Sequence, residues 1–134
     1  NKISNSNSIL FIWTTDYHLE KCFKVIQSWG FQYKTIGFVW AKKNKSGGPV
    51  CFMGAYTMKS GIELCLLATK GKDAHKLIKK YNIRSLIESK RETHSKKPAE
   101  VRERIAQLIG NNLLYIELFA RQETVGWDVW GNEL

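Results

Sequence analysis

The stretch Ser8-Ile9-Leu10-Phe11-Ile12-Trp13, followed by Thr14-Thr15-Asp16, decides how the fold is read. Neither face of the apolar run after Ser8 is polar and it is too short for a core helix, so it predicts a strand buried on both sides. Thr14, Thr15 and Asp16 are helix-capping types, and Leu19, Cys22, Phe23 and Ile26 follow at helical spacing, with Gly30 placed to stop the helix.

The same punctuation recurs downstream. Ile36 to Trp40 predicts a second buried strand and Ile62 to Ala68 a third, separated by a polar, glycine-containing excursion over residues 43–60. Residues 70–94 are basic and weakly periodic, which predicts a second surface excursion with a short helix near Ala74 to Lys80. Pro98 suits a first helical position, and Val101, Ile105, Leu108 and Ile109 form one apolar stripe ending at Gly110. Strands are then expected from Leu114 to Phe119 and from Trp127 to Trp130. Strands alternating with helices predict a single α/β domain over residues 1–134, a sandwich with a mostly parallel sheet.

Composition narrows the function classes. Net charge is +9, and residues 70 to 104 hold 12 Lys or Arg against five Asp or Glu. That asymmetry favours a polyanion such as nucleic acid, although a solvated lysine face has the same composition. Cys22, Cys51 and Cys65 form no CxxC pair, so neither a disulfide framework nor a zinc site is expected and a reducing cytoplasm fits. No run approaches the roughly 18 apolar residues of a membrane span. His18, His75 and His94 are too scattered for chelation, and GxGxxG, P-loop, HExxH and GxSxG motifs are absent.

In a parallel α/β sheet ligands bind beyond the carboxyl ends of strands, and three such places are polar: 13–16, 120–124 and 131–133. Glu117 lies inside a strand with Arg121 at its end, an arrangement that serves equally for a site or for a structural ion pair. His94-Ser95-Lys96-Lys97-Pro98 sets two ammonium groups before a helix N-terminus, which suits a bound carboxylate or phosphate but also a plain solvated loop.

Six blocks in order then carry a resemblance: Ile9-Leu10-Phe11-Ile12-Trp13-Thr14, Ser28-Trp29-Gly30-Phe31, Val39-Trp40-Ala41-Lys42, His94-Ser95-Lys96-Lys97-Pro98, Ile116-Glu117-Leu118-Phe119-Ala120-Arg121, and Gly126-Trp127-Asp128-Val129-Trp130-Gly131-Asn132-Glu133. Together they resemble the adenine-amino methyltransferase family, which includes the catalytic subunit of the eukaryotic mRNA adenosine methyltransferase and bacterial and phage DNA adenine methyltransferases. The last block is most similar to the bacterial and phage branch.

The resemblance implies a Rossmann-like class I methyltransferase sandwich in permuted order, with the catalytic motif before the cofactor motif, helices on both faces, and S-adenosylmethionine as cofactor. It implies cofactor contacts from Lys97, Glu117, Leu118, Phe119, Arg121, Asn132 and Glu133, and approach of Lys42 and Glu63 to the target base. It implies adenine in nucleic acid as the substrate, DNA favoured over RNA, no metal, and a homo- or heterodimer as an assembly. The family's Asp-Pro-Pro-Trp motif does not occur here, since Pro49 and Pro98 are the only prolines. The expectation is that the catalytic residues lie upstream of residue 1; the alternative is a catalytically silent, nucleic-acid-binding subunit of a heteromeric complex.

Overall fold

The structure is a computed structural model that describes residues 6–92 and 96–110, and the backbone of 115–118 and 127–130. The apolar run becomes β1 (Ser8–Thr14), and after one 3-10 turn comes α1 (Leu19–Ser28). Gly30, at φ 83°, turns the chain out of this helix in a conformation that side chains with a Cβ rarely adopt. A long strand β2 (Gln32–Lys43) follows, then a short ribbon of β3 (Cys51–Met53) and β4 (Met58–Ser60), and then β5 (Ile62–Lys70). β6 (Leu86–Lys90), α2 (Ala99–Ile109), β7 (Tyr115–Leu118) and β8 (Trp127–Trp130) complete the order.

The main sheet has the order β1-β5-β2-β6. β5 runs antiparallel to both β1 and β2, and within this sheet only β2 and β6 pair in parallel among the described residues. The expectation of a mostly parallel sheet is therefore corrected to a mixed one, with antiparallel pairing around its central strand. The reason is visible in the chain path. Residues 43–60 reverse the chain, so that β2 and β5 are the two arms of one long hairpin. A continuous apolar run reports burial on both faces and says nothing of strand direction. β1, α1 and β2 still form a crossover unit between two parallel-running strands, with β5 inserted between them. A second, separate ladder joins β7 and β8 in parallel, Glu117 opposite Val129.

Alternation along the strands divides the core into two layers. Leu64, Leu66 and Ala68 pack with Cys22 and Ile26 of α1 and with Phe31. Cys65, Phe38, Trp40 and Ile87 pack on the other face with Val101, Ile105 and Ile109 of α2. Among the described elements each face thus carries one helix. Gly37 sits at a bulge in β2, where a Cβ would lie 3.3 Å from the Cys65 carbonyl oxygen, so the close approach of the strands there favours the missing side chain.

Within 70–94 the short helix contracts to a 3-10 turn at Ala74–Leu77, and Leu86–Lys90 supplies an edge strand. Its Ile87 is wholly buried while Leu86 is half exposed, so a single apolar residue faces the core and periodicity has little to register. Arg104 of α2 clamps the entry to this strand by donating to the carbonyl oxygens of Arg84 (2.7 Å) and Leu86 (2.6 Å). Pro98 occupies the N-cap position of α2, one residue earlier than expected.

Candidate active site

The carboxyl ends of β1, β2 and β6, the start of β5 and the start of α2 meet at one edge of the sheet. Trp40 stands directly opposite Glu63 in the β2–β5 register, so both side chains lie on the α2 face, as does Lys42 two residues on. Trp13, at the end of β1, packs edge-on to Trp40 with ring centroids 6.4 Å apart.

Glu63 is the centre of the cluster. Lys97 Nζ donates to its Oε1 at 2.9 Å, and Lys42 Nζ lies 3.6 Å from its Oε2. The carboxylate side chain is only 12% exposed, against 23% for Lys42 and 28% for Lys97. Each ammonium also sits over an indole, Lys97 over Trp13 (5.6 Å) and Lys42 over Trp40 (5.1 Å). Two cations bracketing one anion leave this edge with an excess positive charge, while the carboxylate keeps lone pairs with which to accept from a bound amine.

Beside the cluster lies a cleft of about 350 Å³ lined by Trp40, Ser89, Lys90, Glu92, Lys96, Pro98, Ala99 and Glu100. Trp40 forms the wall shared by cleft and cluster, held by its Nε1 donating to the Ser89 carbonyl oxygen at 3.1 Å. Ser89 Oγ is the one buried side-chain oxygen or nitrogen without a hydrogen-bond partner among the described residues. Two residues from Glu63, Cys65 has its thiol pushed up to about 12 by burial, with a smaller contribution from Cys22, so it stays protonated and is not a nucleophile.

Lys42, Glu63 and Lys97 are therefore brought together, although the first two were expected to face a target base and the third a cofactor. Glu117 and Leu118 lie on β7, opposite Val129 and Trp130. Phe119, Arg121, Asn132 and Glu133 fall outside the described residues. Trp13, Trp40 and Ser89 received no individual role from sequence; the i, i+2 pairing of Trp40 with Lys42 on one strand face was the available signal for Trp40. The basic segment divides. Lys90 and Lys96 line the cleft, but Lys70 stands opposite Ser8 at the start of β1 and the backbone amide of Lys79 donates to the carbonyl of Leu108 near the end of α2, both at the opposite edge of the sheet.

No helix among the described residues is long and apolar enough to cross a membrane, and no group of three or more His, Cys, Asp or Glu among them is placed to hold a metal ion. The MT-A70 family model matches residues 1–133. The type II methyltransferase M.MunI of a Mycoplasma species is 39% identical over 132 residues, an alignment that covers 98% of this chain and 53% of that relative. The chain thus spans about half the length of the curated relative it matches. Taken with six ordered sequence blocks and a two-faced α/β sheet, the match over nearly every residue shows that the chain belongs to the MT-A70 adenine methyltransferase family.

Proposed function

We propose that the chain forms the cofactor-binding and target-holding part of an S-adenosylmethionine-dependent methyltransferase that modifies the exocyclic amino nitrogen of adenine in DNA. The observation that carries this reading is the Lys97–Glu63–Lys42 cluster between two tryptophan rings, in a chain of this family whose M.MunI relative is named a type II methyltransferase. We read the sheet as the Rossmann-like sandwich in permuted order, with β7 as the cofactor strand following the target-side strands.

The donor set suits the cofactor. Ammonium groups match its carboxylate, the Trp40 and Pro98 wall offers apolar contact, and the unpartnered Ser89 hydroxyl gains a partner when a polar ligand enters. Lys97, Glu117, Leu118, Phe119, Arg121, Asn132 and Glu133 are the residues we assign to hold it. When bound, the cofactor supplies a methyl group already activated by its sulfonium.

The chain's task is then alignment. Glu63 accepts from the adenine amino group and so turns the nitrogen toward the incoming methyl, while Lys42 and Lys97 fix the carboxylate in place. Trp13, partly exposed at the end of β1, offers ring surface to a base taken out of the stack, offsetting an unstacking penalty of roughly a few kcal/mol. Mass spectrometry of nucleosides from DNA and RNA incubated with the intact protein and labelled cofactor tests the reading: labelled N6-methyladenine from DNA supports it, and label on no adenine overturns it.

A further inference from the structure

Arg104 belongs to the basic stretch between residues 70 and 104, yet its side chain is only 19% exposed. Its guanidinium is held by three acceptors. Nη1 donates to the carbonyl oxygens of Arg84 (2.7 Å) and Leu86 (2.6 Å), and Nη2 donates to Glu100 Oε1 (2.7 Å). The first two contacts fasten it to the outer edge of β6. The Ser85 carbonyl accepts from the Val39 amide and so faces β2. Carbonyls alternate in direction along a strand, which turns those of Arg84 and Leu86 to the open side, where no other described strand pairs with β6.

The third contact reaches the cleft. Glu100, in the first turn of α2, lines it together with Pro98 and Ala99, while Ser89 and Lys90 line it from the end of β6. Burial alone holds β6 weakly, because Ile87 is its one wholly buried side chain. A planar fork bonded in two directions fixes the spacing of strand and helix as a single ammonium could not. Other parts of the site move with β6. Ser89 stands opposite Lys42 in the β2–β6 register, its carbonyl oxygen accepts from Trp40 Nε1 at 3.1 Å, and its buried hydroxyl oxygen is unpartnered among the described residues. A displaced β6 would therefore disturb the Trp40 wall and the Ser89 hydroxyl together.

We propose that Arg104 is a positioning residue for the cofactor cleft: outside the cleft lining itself, it braces β6 against Glu100 and so sets the spacing of the two walls before a ligand enters. This rests on the reading that S-adenosylmethionine occupies the cleft, and it adds the group that preorganises the cleft. A ligand that meets a preformed cleft does not have to order it, so loss of the brace weakens binding and leaves the transfer step unchanged once the cofactor is held. The brace works by geometry, so any acceptor of the right shape at position 100 sustains it.

The test compares Arg104→Met, Glu100→Ala and Glu100→Gln in the intact protein. Calorimetry measures binding of S-adenosylhomocysteine, the demethylated cofactor, and steady-state kinetics follow methyl transfer to duplex DNA. Arg104→Met keeps the apolar stem and Glu100 is 45% exposed, so the variants fold, as an unfolding curve verifies. Arg104→Met and Glu100→Ala should each weaken S-adenosylhomocysteine binding about tenfold, the scale of one charge-assisted hydrogen bond. The KM for S-adenosylmethionine should rise to match, with kcat within about twofold. Glu100→Gln, which still accepts, should recover most of what Glu100→Ala loses, and the Arg104→Met/Glu100→Ala pair should lose no more than either change alone. Unchanged binding by Arg104→Met, a fall in kcat at saturating cofactor, or a loss in Glu100→Gln equal to that in Glu100→Ala overturns the proposal. So does a lower salt slope for duplex binding by Arg104→Met, which would place the guanidinium on phosphate. The unsubstituted protein separates the two claims. If it binds no S-adenosylhomocysteine, the cofactor reading falls and takes the brace with it; if it binds and Arg104→Met binds equally well, the brace alone falls.

Discussion

Lys97 and Glu63, 34 residues apart in the chain, meet through a 2.9 Å hydrogen bond at the edge of the sheet where β5 begins and α2 is about to start. Neither element alone makes this contact. It exists because residues 43–60 fold the β2–β5 hairpin, so that Glu63 emerges at the same edge as the carboxyl ends of β1, β2 and β6.

Lys97→Ala removes one of two cations on Glu63 and, on this account, one contact to the cofactor. Because Lys42 remains 3.6 Å from the carboxylate and the pair is partly solvated, the stability loss should be at most about 1 kcal/mol. Cofactor affinity should drop about tenfold or more, the scale of one charge-assisted hydrogen bond. Titration calorimetry measures the second and urea unfolding the first; unchanged cofactor affinity would show that Lys97 serves only to hold Glu63.

The three thiols should separate by accessibility. Cys51 is exposed while Cys22 and Cys65 are buried, and burial raises the pKa of both buried thiols. A thiol reagent at neutral pH should therefore label Cys51 and spare the other two in the folded protein, as peptide mass spectrometry would read. For Cys65 the folded-state value lies above the ordinary 9.0, so deprotonation favours the unfolded chain. Stability should decline as pH rises from 9.0 toward about 12.

Asp16 behaves in the opposite sense. Its hydrogen bond with Lys59 holds the carboxyl below the ordinary 3.8, so the tie between ribbon and β1 loop is present above that value and is lost as pH falls through the lowered one. Amide exchange in β3 and β4 should quicken in Asp16→Asn at neutral pH; unaltered protection would mean that the root hydrogen bonds at Val50 and Gly61 hold the ribbon unaided.

The division of the basic segment gives a contrast between two edges. Replacing Lys90 and Lys96, beside the cleft, should weaken duplex binding and reduce the slope of its salt dependence by about one for each phosphate no longer neutralised. Replacing Lys72 and Lys80, on the segment packed at the far edge, should leave the slope nearly as it was. The reverse pattern would move the nucleic acid to the other end of the sheet.

What was legible in the sequence follows from how each signal arises. β5, α1 and α2 announce themselves because each buries a continuous run or a regular stripe, and β1 because its apolar run, though only partly buried at the sheet's edge, packs on both faces; residues that stop or start a chain, Gly30 and Pro98, fall at the helix ends. β6 was hidden because only Ile87 of its five residues is wholly buried and lysines surround it. Strand direction was hidden because Leu64, Cys65 and Leu66 look the same whichever way β5 runs. Lys42, Glu63 and Lys97 were singled out through a family resemblance, but their mutual contact depends on the register that sets Trp40 opposite Glu63, which no local pattern encodes.

The most direct measurement is the rate of methyl transfer to adenine in duplex DNA by the intact protein carrying Glu63→Gln, with duplex and cofactor affinities determined alongside. The amide keeps the shape of the side chain but loses the charge that Lys42 and Lys97 hold and that the amino group donates to. The account predicts a rate lowered by about 100-fold or more, in the range of a lost positioning or charge interaction at a reacting group, with binding of both ligands largely retained. A variant that transfers methyl at the unsubstituted rate would contradict it.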